Sequence, residues 1–378
     1  MKKEKATVNP FLLTGYVSPE YFCDRKEETE KLSAALQNGR NVALISPRRM
    51  GKTGLIKHVF HKFEVGKTAK CYYVDLYQTS CLADLANKLG TSVVGTLDST
   101  ETKIIKKVST FFKTLRPVVS FDSMTGTPSF SVNVQPEYAE QSLAEVFAYM
   151  EQSQSPCYVA FDEFQEVANY DDKKVEALLR AHIQHLSNVH FIFSGSQRHV
   201  LENMFASASR PFYQSCQLMH LTNISQEAYF LFAKEKLSHH GQAITESVFS
   251  HLYEQLSGHT WYLQSLLNRM FESNVKELTE EAVNTILNNL IEENAVTYQT
   301  FVRLVTGSQK AVLQAIAKEK KIKEIQSSSF IKKHKLSAPS TVKSAVTAMT
   351  DREMLLLESD GSYSVYDRFF AIWLRRQL

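Results

Sequence analysis

Gly51, Lys52 and Thr53 carry the densest chemical signal in the chain, and Asp162 and Glu163 complete it. The first three sit in "NVALISPRRMGKTGLIKHVF" and the other two end "CYVAFDEF". A phosphate cradle needs a strand end, a loop of backbone N–H groups and a helix N-terminus aimed at the anion. The first stretch has the pattern for all three. Gly51 lets the backbone approach phosphate, Lys52 reaches the β- and γ-phosphates, and the Thr53 hydroxyl ligates Mg²⁺. Two carboxylates at the tip of a buried strand supply the other half, one near the metal and one near the attacking water. Together they imply a site for ATP or GTP with Mg²⁺. Thr53 and Asp162 are its candidate metal ligands, and Lys52, Asp162 and Glu163 its candidate catalytic groups. The cradle runs through Ser46, Pro47, Arg48, Arg49, Met50, Gly51, Lys52, Thr53 and Gly54.

Ser46 stands where the pattern G-x-x-x-x-G-K-[ST] has its first glycine. We expect the serine to be tolerated, because the later amides and Lys52 do most of the anion binding. Downstream, "IFSGSQR" offers Ser194, Ser196 and Gln197 at a strand end, with Ser196 placed to sense or orient a water. Arg210, in "SASRPFYQ", is a candidate arginine finger acting in cis or toward a neighbouring copy of the chain.

These residues need a scaffold that gathers strand ends. Five short apolar runs ("NVALISP", "KCYYVDLY", "CYVAFDEF", "HFIFSGS" and "CQLMHL") read as strands buried on both faces, with helical stretches between them. That alternation predicts an α/β domain, a parallel sheet with helices on both faces, over residues 1–222. Residues 117–136 read as an inserted β-hairpin turning at Thr125-Gly126. After Leu221 the strand pattern stops. Helices predicted over "SQEAYFLFAKEKLSHHG", opening at Ser225 and closing on Gly241, and near Glu246–Leu256, Trp261–Phe271 and Thr279–Asn294 make a helical domain over 223–300. Residues 301–378 follow the order helix, basic helix, turn at Ser337-Ala338-Pro339, helix, then two strands joined at Asp360-Gly361, which is a winged helix-turn-helix.

Composition narrows the class. At 378 residues, with 43% hydrophobic and 22% charged residues, the chain reads as a folded protein of two or three domains. No apolar run is long enough to span a bilayer, so the expected location is the cytoplasm, without a membrane partner. Five scattered cysteines without a C-x-x-C pair argue against a disulfide framework and a zinc site. Net charge is +3, yet residues 306–378 hold 13 Lys+Arg against 7 Asp+Glu. The basic excess of that module, with Lys332, Lys333 and Lys335 before the presumed reading helix, suits DNA phosphates. That helix carries Lys343 as its only basic residue, so non-specific DNA binding or a protein partner are the two expectations. An added acceptor pocket, as a metabolic kinase needs, is not apparent.

The order "YFCDRKEETEKL", "SPRRMGKTGLI", "VAFDEFQEV", "IFSGS", "SRPFY", "SGHTWYLQ" and "SVYDRFFAIWLRR" resembles the bacterial and archaeal ATPases of the STAND-like branch of the AAA+ superfamily, distant relatives of the origin-recognition ATPases. The resemblance covers essentially the whole chain. It implies a P-loop NTPase domain, a helical lid and a C-terminal winged helix. It makes adenine nucleotide, ATP or ADP, the expected ligand. Tyr21, Phe22 and Arg25 match the N-terminal box that holds adenine, and Arg48 and Arg49 the paired arginines of the loop. Ser196 falls in the sensor-1 neighbourhood. In the lid, "GHTW" has Thr260 where many relatives have proline, and His259 is the candidate nucleotide contact there. The implied function is a slow Mg-dependent ATPase whose nucleotide state repositions lid and winged helix. The alternative is an adaptor that holds ATP or ADP without hydrolysis.

Overall fold

Alternation along the strands decides where the apolar layers lie. The protein, seen here in a computed structural model, is described over residues 8–95, 112–121, 128–273, 275–358 and 360–377. It divides into two compact units, Thr14–Ile224 and Ser225–Leu378, the second joined by the described residues up to Leu13. In the first unit, strands β1 (Val42–Ile45), β2 (Lys70–Asp75), β5 (Cys157–Asp162), β6 (Val189–Gly195) and β7 (Gln217–His220) form one sheet in the order β2-β5-β6-β1-β7. Every pairing in it is parallel. All five regions read as strands from sequence are strands of this sheet.

Side chains alternate between its faces. Val42 and Leu44 of β1, Tyr158 and Ala160 of β5 and Ile192 of β6 join the helices Lys26–Gln37 and Lys52–Val65 in one apolar layer. Ala43, Ile45, Val159, Phe161, Phe191 and Phe193 join the helices Leu82–Gly95, Ala139–Glu151, Val175–Ile183 and Arg198–Ala206 in the other. Near-continuous apolar runs are what a sheet covered on both faces requires.

Strands β3 (Arg116–Phe121) and β4 (Pro128–Asn133) pair antiparallel, apart from the main sheet. The expected hairpin is therefore present; its turn at Thr125-Gly126 lies outside the described residues. Val132 and Leu115 press it onto Gly90 of the helix Leu82–Gly95, where a Cβ would come within 2.8 Å of Val132 Cγ2.

The sheet order places the site. The chain leaves β1 for the far edge at β2, returns through β5 and β6, then passes β1 to reach β7. The reversal at β1 opens a crevice at the carboxyl ends of the strands, where ligands of open α/β sheets bind. The loop after β1, the end of β5 and the end of β6 all lead into it.

The second unit is mainly helical. Helices Gln226–Ser238, Glu246–Gln255, Thr260–Glu272, Glu280–Glu293 and Ala295–Arg303 begin at residues whose side chains in three cases accept a backbone N–H: Ser225, Thr245 and Thr279. Two short strands, β8 (Ala243–Ile244) and β9 (Glu277–Leu278), pair parallel. The last part follows the winged helix-turn-helix order. Helix Gly307–Glu319 opens with a capping box of Thr306 and Gln309; helices Ser328–His334 and Pro339–Asp351 come next. Antiparallel β10 (Leu355–Leu357) and β11 (Tyr363–Val365) lead to a terminal helix, Arg368–Arg376. The N-terminal arm packs with this unit. Asn9 donates to the Asn268 carbonyl at 2.9 Å, and buried Phe11 meets Phe232 and Phe271 edge-on. Among the described residues no helix is long and apolar enough to cross a membrane.

Phe191 tests the sheet's core. Its ring lies 5.9 Å from Phe161, 5.8 Å from Phe193 and 5.8 Å from Phe147, fully buried. We expect Phe191→Ala to destabilise the Thr14–Ile224 unit by about 3–5 kcal/mol. The check is the shift of that unit's unfolding transition in urea.

Candidate nucleotide site

Asp162, at the carboxyl end of β5, is 5% exposed and so needs donors for its charge. Thr53 Oγ1 donates to Oδ2 at 2.8 Å and Tyr73 OH to the same oxygen at 2.5 Å. Ser194 Oγ donates to Oδ1 at 2.6 Å, and the Glu163 N–H to the same atom at 3.1 Å. Tyr73 was not singled out from sequence. The signal is a tyrosine in the strand Lys70–Asp75, whose hydroxyl must find a partner if buried. Burial, and then the Asp162 charge, push its phenol well above the usual range. Ser194, near the end of β6, directs its hydroxyl to Asp162.

The loop between β1 and the helix Lys52–Val65 is shaped by two left-handed residues, Arg49 (φ 65°) and Gly51 (φ 91°), on either side of Met50. Such alternation of backbone hand builds the N–H concavities that hold anions, and a side chain at 51 would be strained there. Ser46 has no left-handed backbone, so nothing in its conformation demands glycine. It is buried, with its Oγ 3.3 Å and its carbonyl oxygen 3.0 Å from Lys52 Nζ, and the Pro47 carbonyl adds a third acceptor at 3.0 Å. The serine is thus a ligand of the lysine.

Lys52 is 7% exposed. Burial pulls its ammonium down to about 8, against the opposing pull of Asp162 and Glu163, while Arg48 pushes the same way as burial. The ammonium's hydrogen-bond acceptors at Ser46 and Pro47 are two carbonyls and a hydroxyl, all neutral, so a bound anion would gain more from this cation than from one already ion-paired.

Glu163 follows Asp162 in a left-handed conformation, φ 53°. Its Oε2 accepts from Ser196 Oγ at 2.8 Å, the Ser196 N–H at 3.3 Å and Gln165 Nε2 at 2.5 Å. Arg48 Nε donates to Ser196 Oγ at 3.1 Å, which connects the loop to the second carboxylate. Gln197 caps the following helix, Arg198–Ala206, without a side-chain bond to it.

The remaining expected residues spread out. Arg25, 3% exposed and itself left-handed, spends its guanidinium on Glu28 at 2.7 Å and on the Met50 carbonyl at 3.2 Å, so it props the loop. Phe22 stacks on His58 at 4.3 Å, and Tyr16 OH lies 3.0 Å from His58 Nδ1. Burial and the neighbours Lys62 and His61 push His58 down, toward the neutral ring. Gly54 faces Phe22, which a Cβ there would meet at 3.5 Å. Tyr21 is half-buried at the end of the short turn Pro19–Tyr21. Arg210 is paired with Glu176 through its Nη2, 2.5 Å from Oε2, and burial raises the Glu176 carboxyl against that pull. His259 belongs to the second unit, buried at the start of the helix Thr260–Glu272 with its ring 4.8 Å from Tyr262.

The donor set fits Mg²⁺ with a nucleotide. Thr53 and Asp162 offer the oxygen ligands a hard cation prefers, and Lys52 with the left-handed loop offers the anion cradle.

A parallel sheet with a Gly51–Lys52–Thr53 loop and an Asp162–Glu163 strand end defines a P-loop ATPase. Residues 22–266 match the family described as an ATPase domain predominantly from Archaea, and the chain belongs to that family. Residues 296–376 match a second family, described as "probable winged helix domain". No curated protein sequence matches the chain. Among solved structures, the Walker-type ATPase PABY2304 of Pyrococcus abyssi shares 18% identity over 97% of this chain and 99% of its own, with a TM-score of 0.65. The ORC2 protein of Aeropyrum pernix, in ADPNP–ADP complexes, shares 14% over 98% and 97%, at 0.56. The ORC1 protein of the same organism, in complex with DNA, shares 13% over 97% and 96%, at 0.50. The fold is therefore AAA+-like, shared with the origin-recognition ATPases.

Lys52 sets a pH dependence. The free protein loses its Lys52 proton as pH rises through about 8, and bound phosphate favours the charged form. ATP affinity should therefore be highest below that pH and fall by up to about tenfold per pH unit above it. Calorimetry in buffers of different ionisation heat should report proton uptake on binding above pH 8. Lys52→Ala should abolish measurable binding.

Proposed function

We propose that the protein binds ATP with Mg²⁺ and hydrolyses it slowly, using nucleotide state as a switch. The observation that carries this reading is the meeting of Thr53, Asp162, Ser196 and Glu163 at the carboxyl ends of β1, β5 and β6. Bound Mg²⁺·ATP brings the γ-phosphate whose bond to the bridging oxygen is broken. Lys52 and the loop amides would take up phosphate charge, while Thr53 and Asp162 would hold the metal. Glu163 accepts the proton of the attacking water. The aromatic group of Tyr16, Phe22 and His58, beside the helix Lys52–Val65, suits stacking of a base. Arg210 acts on a phosphate, in cis or in a neighbouring copy, only after leaving Glu176.

The output is movement of the lid and winged helix. Within the second unit, Phe369 of the terminal helix packs against Tyr262 at 5.0 Å and Trp261 at 6.3 Å. Arg375 Nη1 donates to the Ala317 carbonyl at 3.3 Å, and Arg376 bonds Asn288 of the helix Glu280–Glu293. These contacts support lid and winged helix responding together.

The adaptor reading draws on the surface of the helix Pro339–Asp351. Its exposed positions are Pro339, Ser340, Thr341, Lys343, Ser344, Thr347 and Asp351, mostly small, with one basic and one acidic residue. Of the preceding lysines, Lys333 is paired with Glu319 at 2.7 Å. Such a face suits sequence-tolerant phosphate contact better than base readout.

Glu163→Gln should keep ATP binding within about twofold and cut turnover by on the order of a hundredfold or more. Phosphate release measured beside a binding titration separates the two, and unchanged turnover would refute the role of Glu163. On the winged helix, labelled duplex should bind without sequence preference. Its affinity should fall roughly 10–100-fold between 50 and 200 mM salt, as a few phosphate contacts predict. No anisotropy change at the lower salt would assign the module to a protein partner.

A further inference from the structure

We propose that Gln165 is a positioning residue for Glu163, and that Gly195 is a glycine in order to admit it. The proposal rests on the reading of Glu163 as the group that takes the water's proton.

The backbone makes the arrangement. Left-handed Glu163 turns the chain sharply after β5, and Phe164 drops fully buried into the core with its N–H on the Ser194 carbonyl at 2.8 Å. The turn brings Gln165, 1% exposed, back beneath Glu163, where Nε2 donates to Oε2 at 2.5 Å. With the Ser196 hydroxyl and N–H on the same oxygen, three donors fix the carboxylate plane. Oε1 is left as the proton acceptor.

Gly195 is required by space. Its φ is not positive, but a Cβ there would sit 2.0 Å from Gln165 Oε1, 3.2 Å from its Cδ and 2.8 Å from Leu201 Cδ1. The glutamine also carries a cost that a core-filling role does not explain. Its Oε1 is buried and accepts no hydrogen bond, and an unpaired buried carbonyl costs about 1–3 kcal/mol. Methionine or leucine would fill the same space without it. What only the amide supplies is the donor to Glu163. Through Ser196 the same clamp reaches Arg48 in the phosphate loop, so the orientation of Glu163 is tied to the loop.

The test compares wild type with Gln165→Met, which keeps length and removes the donor, and with Gly195→Ala, which changes no donor but displaces the glutamine. Turnover and ATP affinity are measured for each. In Gln165→Met we expect kcat to fall about 10–100-fold, as a mispositioned catalytic group costs, with the ATP Kd within about twofold. Gly195→Ala should reproduce this loss, and the double variant should be no slower than either alone. Should Gly195→Ala fail to fold, Gln165→Met decides alone. Glu163→Gln is the control. If it turns over at the wild-type rate, the reading of Glu163 itself fails. If it is slow while Gln165→Met turns over at the wild-type rate, only the positioning role is overturned. An ATP affinity that falls as far as kcat would also overturn it, marking Gln165 as structural.

Discussion

One buried negative charge organises the nucleotide-binding unit. Asp162 is almost wholly removed from water, and an ionised carboxylate in that position is tolerated only when its oxygens are supplied with donors. The donors come from separate places: the helix after the phosphate loop (Thr53), the neighbouring strand β2 (Tyr73), the strand on its other side (Ser194) and its own chain (the Glu163 N–H). Satisfying one charge therefore ties the register of β2, β5 and β6 to the placement of the loop. The pairing of Asp75 with Asp162 and of Tyr73 with Ala160 is the ladder that brings the tyrosine hydroxyl within reach.

Its counterpart is a buried positive charge supplied differently. Lys52 is held by the carbonyls of Ser46 and Pro47 and the Ser46 hydroxyl, dipoles in place of a salt bridge. Dipoles hold an ammonium in place without neutralising it, and burial lowers its affinity for the proton accordingly. The site is thus polarised in advance. The anion at the end of β5 is satisfied by protein, whereas the cation at the head of the helix is left to gain most from an incoming anion. That asymmetry favours a phosphate ligand over a structural ion pair between the two residues.

How far the sequence foretells this depends on the range of the contact. The five strands, the helices between them and the strand–loop–helix at Gly51 are legible because local pattern and burial on both faces agree. The pairing of Lys52 with the Asp162–Glu163 strand is legible because two separate motifs imply one ligand. Three features were not legible. Ser46 reads as a tolerated departure from the loop pattern, but that its hydroxyl and carbonyl hold Lys52 emerges only from the fold. Arg25 is placed in the adenine box by resemblance alone, and its bonds to Glu28 and the Met50 carbonyl depend on the left-handed turn it occupies. Gln165 reads as an ordinary polar residue in a turn, because its return to Glu163 depends on a left-handed glutamate and on a glycine thirty positions away. Local spacing rules carry no information on such hand-dependent reversals.

The second unit shows how a modular order can be joined into one body. Helix Thr260–Glu272 presents Trp261 and Tyr262 to Phe369, and Tyr298 of the helix Ala295–Arg303 packs on Phe370 at 5.2 Å and Trp373 at 5.9 Å. The terminal helix thus inserts its aromatic face between the helical part and the winged helix proper, with Arg375 and Arg376 bonding to either side. Aromatic contacts of this size bury large areas and resist shearing. A hinge between lid and winged helix would have to expose Phe369, Phe370 and Trp373 to water together. Within this unit the helix Thr260–Glu272 and the terminal helix are therefore held together by one set of aromatic contacts.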